Sequence, residues 1–262
     1  MIKYFIKHLK NYYTLTKYNN IAKIVKNNNN FSLVVPVYNE EESIIPLFNE
    51  IKLSLAYEKI NKIVFVDDGS EDQSKELIKT LVENFPNKII LLHHKHNMGQ
   101  SFCLKTANEF LDDKYIITID GDLQNDPKDI INLIELIEKD SFSLVGGIRS
   151  QRNDSLSKVY ASKISNVVRK FILKDDCDDT GCSLKIFERE IFNSFPFFNG
   201  IHRFLPALYK GYGLKTKFIE VKHRKRFKGS SKYNNISRLF WTIKDLHRVY
   251  KHLKKRKNGK LS

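Results

Sequence analysis

The chain has 262 residues, of which 41% are hydrophobic and 29% are charged. This composition can bury one sizeable core, at the upper end of what a single domain usually holds. No apolar run reaches about 18 residues, so the sequence predicts no membrane-spanning helix, and its start lacks the apolar stretch and cleavage site of a secreted protein. Three cysteines without a C-x-x-C pair indicate ordinary thiols in a reducing cytosol.

The net charge of +15 is concentrated at the two ends of the chain. Residues 1–30 carry six lysines and no acidic residue, and residues 222–262 carry fifteen Lys or Arg against Asp245 alone. Basic flanks predict an anionic partner surface, either nucleic acid or lipid headgroups, with solvated tails as the alternative. We expect a basic N-terminal segment over 1–30, a globular domain over 31–235, and a basic amphipathic helix with a tail over 236–262.

After an asparagine-rich stretch, short apolar runs alternate with amphipathic segments. Runs rich in Val and Ile predict buried strands at 32–37, 62–66, 88–92 and 115–119, with helices at 41–57, 73–84 and 99–111. Helices at 128–139 and 156–172 and strands at 142–146, 183–187 and 214–221 are predicted next. This alternation is typical of βαβ units, so the predicted fold is α/β, a Rossmann-like, mostly parallel central sheet flanked by helices.

Capping patterns mark where two of the predicted helices begin. Asn39 with Glu42, and Ser70 with Gln73, place a capping side chain three residues before Glu or Gln, which predicts capping boxes. Ligands of open α/β sheets bind outside the carboxyl ends of the strands. The polar clusters that follow the first, second and fourth predicted strands should therefore converge into one site.

Two aspartate pairs carry chemistry at these strand ends. Asp120 and Asp122 would repel each other unless a cation lies beside them, and hard oxygen ligands suit Mg²⁺ or Mn²⁺; an acidic turn is the alternative. Asp67 and Asp68 precede Gly69, whose freedom at positive φ allows a tight turn. Their carboxylates can accept hydrogen bonds from a base or a ribose, and a plain strand-to-helix turn is again the alternative.

Four segments occur together in one order: VVPVYNEEESI, VDDGSEDQS, HNMGQS and ITIDGDLQNDP. With them, residues 31–235 resemble family 2 glycosyltransferases of the GT-A fold, and within these the polyprenyl-phosphate and dolichol-phosphate glycosyltransferases. The resemblance implies a nucleotide-sugar donor, whose base and ribose meet Pro36, Tyr38, Asn39, Glu40 and Asp68. It also implies that Asp120, Asp122 and Gln124 bind the diphosphate and the metal, Mg²⁺ or Mn²⁺, with no other cofactor.

Basic residues follow in the segments VGGIRSQRNDS and RKRFKGSSKY. In the lipid-phosphate branch, similar arginines and an S-K-Y element close over the diphosphate and the acceptor phosphate, and that much anionic charge requires cations. The resemblance thus implies phosphate binding by Arg149, Arg226 and Lys232, with Ser231 and Tyr233 beside them. For Arg152 and Arg224, phosphate binding and a generic basic surface both stay open.

The element D-D-T-G-C-S-L-K is similar to a family segment beside the acceptor. Asp179 holds the position where other members place a general base, which a hydroxyl acceptor needs. A phosphate acceptor, with a second pKa near roughly 6, is largely ionised at neutral pH, so Asp179 would then orient it. A simple turn cap is the remaining alternative, and His202 is assigned no catalytic role because a lone histidine is more often structural.

Apolar positions from 236 onward follow helical spacing, with lysines and arginines between them. Such a helix suits a lipid headgroup layer, and packing on the catalytic body is the alternative. We expect a cytoplasmic protein bound peripherally to the inner face of the plasma membrane, directly, through an integral-membrane partner or as a homo-oligomer. Many lipid-phosphate members continue into transmembrane helices, and the absence of such helices here weakens the expectation of a lipid acceptor.

The resemblance implies two possible functions, and the charge pattern suggests a third. The first is an inverting glycosyltransferase that moves a sugar from a UDP- or GDP-sugar to a polyprenyl phosphate. The second keeps this donor and uses a saccharide hydroxyl acceptor in envelope polysaccharide or glycolipid synthesis. The third, a nucleic-acid-binding protein, is prompted only by the basic ends, and carboxylates at the strand ends oppose it because they repel a phosphate backbone.

Overall fold

A computed structural model describes residues 31–150, 166–226 and 235–258, with side chains of the last range described from 243 onward. The predicted N-terminal segment over 1–30 lies outside the described residues, as do Arg152, Ser231, Lys232 and Tyr233. The roles predicted for these residues stay predictions.

Within the described residues, seven strands form one sheet in the order β3-β2-β1-β4-β6-β5-β7. They are β1 (Phe31–Val37), β2 (Ile60–Asp67), β3 (Ile89–His93), β4 (Tyr115–Thr118), β5 (Leu144–Arg149), β6 (Lys185–Glu188) and β7 (Thr216–Val221). Strand β6 runs antiparallel to both of its neighbours, and the remaining pairs are parallel. The predicted mostly parallel sheet is confirmed.

Helices connect these strands and cover both faces of the sheet. They are α1 (Glu41–Leu53), α2 (Ser74–Asn84), α3 (Gln100–Phe110), α4 (Ile130–Asp140), α5 (described over 166–173), α6 (Arg189–Ser194), α7 (Leu205–Gly211) and α8 (Asn235–Lys257). Helix α1 ends four residues before its predicted end, because Ser54 turns to an extended backbone and its hydroxyl donates to the carbonyl of Ile51. The sequence did not predict α6 and α7, which are only six and seven residues long.

The core consists of two apolar layers, one on each face of the sheet. Alternate residues of β1 show the division: Leu33 and Val35 pack with α1, α2 and α4, whereas Val34 packs with α3, α6, α7 and α8. Strands buried on both faces are nearly continuous in apolar residues, which is why the sequence showed runs instead of alternation.

The C-terminal helix α8 packs on the body through one of its faces. Val249 and Leu253 are buried, and Leu253 fills the space beside Gly211 that a side chain there would take. The Arg256 guanidinium lies 3.8 Å from the ring centroid of Tyr212. This face of the helix packs on the body, as the alternative to lipid binding predicted. Ile243 and Tyr250 remain exposed on the helix. Within the described ranges, no helix has the length and apolar content that a membrane crossing requires.

Candidate active site

The carboxyl ends of β1, β2 and β4 bring the predicted polar loops together. A side chain at Gly121 would lie 3.1 Å from the carbonyl oxygen of Pro36, so glycine between the two aspartates lets the β4 loop approach β1 closely. The loops after β1 and β2 also join, because the backbone N–H of Asp68 donates to the carbonyl of Val37 at 2.7 Å. The predicted convergence of the three loops is therefore present in the structure.

The predicted capping boxes are wrong, because their side chains join two loops. Asn39 accepts a hydrogen bond from the backbone N–H of Glu71 at 2.7 Å, and its own N–H donates to the Ser70 hydroxyl at 2.9 Å. Helix α1 begins after Glu40 and α2 after Gln73, and neither of these side chains caps its helix. The polar residues of the two loops thus hold each other in place.

Asp67 and Asp68, predicted to bind the nucleoside, are both buried. Asp67 pairs with Nδ1 of His93 at 2.7 Å and accepts the N–H of Ser70 at 3.2 Å. Asp68 pairs with Nδ1 of His94 at 2.6 Å and also accepts two backbone N–H groups from the loop after β3. Their partners are internal, and nucleoside binding by this pair stays a prediction.

Asp120 and Asp122 lie together at the end of β4 with raised pKa values. Burial raises the pKa of Asp120, while the Ser183 hydroxyl and the charges of nearby Lys and Arg residues oppose the rise. Burial and then the Asp120 carboxylate raise the pKa of Asp122 to about 6. Two desolvated carboxylates side by side fit a hard divalent cation, which would relieve this repulsion.

Gln124 completes the predicted metal set. Its backbone N–H donates to Oδ1 of Asp122 at 3.1 Å, and its side-chain amide nitrogen donates to the carbonyl of Arg224 at 3.3 Å. The amide oxygen is then the side-chain atom of Gln124 suited to a cation. Metal binding by Asp120, Asp122 and Gln124 agrees with this donor chemistry and stays a prediction.

Arg226 brings a cation directly to the carboxylates. Its Nη2 lies 2.8 Å from Oδ2 of Asp122, and its Nη1 lies 2.9 Å from Oε1 of Glu40. The guanidinium thus bridges the β1 loop and the β4 loop. Its two partners, Glu40 and Asp122, lie 186 and 104 residues before Arg226 in the sequence. This contact joins three residues that were predicted for separate tasks: Glu40 for the nucleoside, Asp122 for the metal and Arg226 for phosphate.

Arg224, for which two roles stayed open, is occupied by structural contacts. Its guanidinium pairs with Glu50 at 2.8 Å and with Asp126 at 2.9 Å. The backbone N–H of Arg224 donates to the carbonyl of Gln124 at 2.8 Å, and His223 forms a β-bridge with Asn125. Residues 222–226 are therefore fastened along the β4 loop, and this segment positions Arg226.

Arg149 and Asp179, predicted for different tasks, form one ion pair. Nε of Arg149 lies 2.6 Å from Oδ2 of Asp179, Nη2 lies 2.8 Å from Oδ1, and the backbone N–H also donates to the carboxylate. Both side chains are largely buried. The charge of Arg149 opposes the rise in the pKa of Asp120, so this pair lies near the aspartates at the end of β4.

A buried arginine that was not predicted from the sequence fixes the loop that contains Asp179. Arg169 of α5 makes a two-pronged contact with Asp175 at 2.8 and 2.9 Å. It also donates to the carbonyl of Cys177 and to the Thr180 hydroxyl, on either side of Asp179. No local signal distinguishes Arg169, because its partners follow in an irregular loop.

Another group of potential metal ligands lies in the interior. The ligand atoms of Asp68, His94 and Cys103 are all buried and lie within 4.8 Å of one another. Both ring nitrogens of His94 already have partners, Asp68 and the Thr106 hydroxyl at 2.9 Å. Burial, with the Asp68 carboxylate, raises the pKa of the Cys103 thiol well above its usual range. This arrangement describes a hydrogen-bonded cluster around a protonated thiol.

The sequence is similar to known proteins over most of this domain. The family model described as Glycosyl transferase family 2 matches residues 32–195. The undecaprenyl-phosphate 4-deoxy-4-formamido-L-arabinose transferase of Yersinia pestis (strain Pestoides F) is 33% identical over 194 residues, 74% of this chain and 58% of that protein. The protein of the same name from Photorhabdus laumondii is 35% identical over 173 residues, 66% of this chain and 53% of that protein. The chain spans somewhat more than half the length of these relatives.

Solved structures are similar in fold at lower identity. Glucosyl-3-phosphoglycerate synthase from Mycobacterium tuberculosis, in complex with Mn²⁺, UDP-glucose and phosphoglyceric acid, superposes with a TM-score of 0.61 at 15% identity, covering 85% of this chain and 79% of that one. A mannosyltransferase from Pyrobaculum calidifontis, in complex with GDP-Man and Mn²⁺, gives a TM-score of 0.56 at 17% identity, covering 87% and 65%. These neighbours confirm the predicted GT-A fold.

Proposed function

Since the chain belongs to glycosyltransferase family 2, we propose that it is an inverting, metal-dependent transferase that moves a sugar from a nucleotide-sugar to a polyprenyl phosphate. The observation that carries the proposal is the meeting of Glu40, Asp122 and Arg226 at the carboxyl edge of the sheet. Asp120 and Asp122 could hold a divalent cation, and the guanidinium of Arg226, which could bind phosphate oxygens, contacts Asp122 directly. That is the chemistry a departing nucleoside diphosphate requires.

The donor end of the cleft would be formed by the β1 and β4 loops. Asp120, Asp122 and Gln124 would hold Mg²⁺ or Mn²⁺, which when bound neutralises the diphosphate leaving group. Arg226, whose guanidinium lies beside Asp122, would contact phosphate oxygens of the donor. Two structurally similar glycosyltransferases were solved with Mn²⁺ and a nucleotide-sugar, which supports the same donor class here.

The Arg149–Asp179 pair favours a phosphate acceptor over a hydroxyl. A carboxylate that accepts two guanidinium N–H groups is poorly suited to take a proton, which a hydroxyl acceptor would demand. An acceptor phosphate that is already ionised needs only orientation and a counter-charge, both of which Arg149 can supply. The matched relatives are named as undecaprenyl-phosphate transferases, which supports a polyprenyl phosphate acceptor.

Exposed apolar side chains near this pair support action at a membrane surface. Val167, Val168 and Phe171 of α5 are exposed, while Arg169 on the same helix reaches inward to the Asp179 loop. With the basic ends of the chain, this surface suits an anionic bilayer. We place the protein at the cytoplasmic face, where nucleotide-sugars are available.

The test is transfer by the purified full chain. It is incubated with Mn²⁺ or Mg²⁺, a panel of UDP- and GDP-sugars, and undecaprenyl phosphate, and the product is detected by mass spectrometry. A glycolipid that disappears with EDTA and returns with Mn²⁺ supports the proposal, and no transfer from any donor by a folded protein refutes it. Asp179→Asn then separates the acceptors: a modest defect is expected for phosphate, whereas near-total loss with intact donor binding indicates a hydroxyl.

A further inference from the structure

Gln100, the first residue of α3, contacts a predicted metal ligand. Its side-chain nitrogen Nε2 donates to Oδ1 of Asp120 at 2.9 Å. The backbone N–H of Asp120 meanwhile donates to the Ser183 hydroxyl at 3.1 Å. A carboxylate with one oxygen held by an amide keeps its other oxygen in a fixed direction. Gln100 therefore controls how Asp120 is presented to the cleft.

The position of Gln100 is fixed by Asp68, which lies directly after β2. Oδ1 of Asp68 accepts the N–H of Met98 at 3.0 Å, and Oδ2 accepts the N–H of Gly99 at 2.7 Å. Gly99 has a φ of +94°, a conformation that favours glycine, so the chain turns sharply just before Gln100. The buried Asp68 carboxylate thus builds the turn from which α3 begins.

The first turn of α3 is anchored from its other side as well. The Ser101 hydroxyl accepts the N–H of Gly200 at 2.9 Å and lies 2.7 Å from Nδ1 of His202. His94, which holds Asp68, reaches the same helix through Thr106. A helix start fixed at so many points holds the Gln100 side chain against Asp120 with little freedom to move.

We propose that Gln100 is a positioning residue for the metal ligand Asp120, and that Asp68 acts through the turn before α3 to place Gln100. This inference rests on the proposed function, because it assumes that Asp120 binds the cation. The buried Asp68 carboxylate can fix this turn because both of its oxygens bind backbone N–H groups there. Partners that orient a metal ligand typically contribute about 10-fold to 100-fold in metal affinity, and we expect the lower end for one neutral amide.

Mn²⁺ binding tests the proposal. Mn²⁺ is titrated into the full chain with saturating UDP, and separately with GDP, and free Mn²⁺ is followed by electron paramagnetic resonance. Gln100→Ala and Gln100→Met should each weaken Mn²⁺ binding about tenfold, because both lack the amide donor. Gln73→Ala is the control, since Gln73 lies at the start of α2 and its exposed side chain does not contact Asp120.

The Mn²⁺ titration distinguishes a failure of the Gln100 inference from a failure of the proposed metal-dependent function. Wild-type protein that binds no Mn²⁺ with either nucleotide refutes the metal-dependent function itself. If both Gln100 variants bind Mn²⁺ as tightly as wild type, the inference alone is overturned. It is also overturned if Gln100→Met alone keeps wild-type affinity, because side-chain packing would then be enough to hold Asp120. Thermal unfolding close to wild type must accompany the loss. In a titration without nucleotide, in which any contact of Asp68 with a base does not count, Asp68→Asn added to Gln100→Ala should weaken Mn²⁺ binding no further, and an additive loss contradicts the coupling.

Discussion

At the β2 and β3 end of the sheet, buried carboxylates accept hydrogen bonds from histidines and backbone N–H groups, whereas at the β4 and β5 end they pair with arginines. Asp67 and Asp68 illustrate the first arrangement, and Asp122 and Asp179 the second. Backbone donors cannot leave a carboxylate without unfolding a loop. A guanidinium can exchange a carboxylate for a phosphate by moving its side chain, so the arginine-rich end is the one equipped to respond to substrates.

The largest expected effect concerns a difference among the arginine-paired carboxylates themselves. A buried ion pair should contribute far more to stability than an exposed one. Arg169→Met leaves Asp175 as an unpaired charge in the interior, since both side chains are almost fully buried. Breaking such a pair typically costs about 3–5 kcal/mol of unfolding free energy. Urea denaturation followed by circular dichroism measures the loss.

Lys170→Met is the matched control for that variant. Lys170 is the next residue of α5 and pairs with the exposed Asp178, so its removal should change the unfolding free energy by less than about 1 kcal/mol. Equal losses for the two variants would show that Arg169 contributes through helix packing instead of charge.

The second prediction sharpens the contrast between two arginines that lie two residues apart. Arg226→Met should lower kcat about 100-fold, because it removes the cation beside Asp122 that we assign to the diphosphate. Arg224→Met should lower the unfolding free energy by about 1 kcal/mol, because its pairs with Glu50 and Asp126 are partly exposed. Steady-state kinetics with thermal unfolding distinguishes them, and a kcat loss for Arg224→Met as large as for Arg226→Met would contradict the division.

The strands and the converging loops could be predicted from the sequence because their signals are local. The apolar run predicted at 32–37 is the observed β1 to within one residue, and the polar loops follow directly from where such strands end. The capping boxes failed for the same reason: Asn39 and Ser70 satisfied a local rule, but a partner 31 residues away satisfied them better. The hydrogen bonds between the two loops replaced the capping bonds that each side chain could have made to its own helix.

The arginine pairs could not be predicted in this way. Arg149 and Asp179 are 30 residues apart and were assigned separate tasks, and nothing in either segment indicated that they meet. Arg226 reaches Glu40 across 186 residues. Ion pairs depend on how irregular segments cross, which neither periodicity nor turn chemistry specifies. The short helices α6 and α7 escaped prediction because they contain too few turns for a helical period to show.

The smallest predicted effect tests whether the arginine-rich end also faces the membrane. Phe171 is 84% exposed on α5, on the helix that holds the Asp179 loop, and Leu53 is 81% exposed where α1 ends, next to the amino ends of the strands. Phe171→Ser should weaken binding to vesicles containing phosphatidylglycerol about fivefold, the order expected for partial burial of one aromatic side chain. Leu53→Ser should leave it unchanged. Co-sedimentation measures both, and equal effects would mean that lipid does not select the end of the sheet at which we propose that phosphates bind.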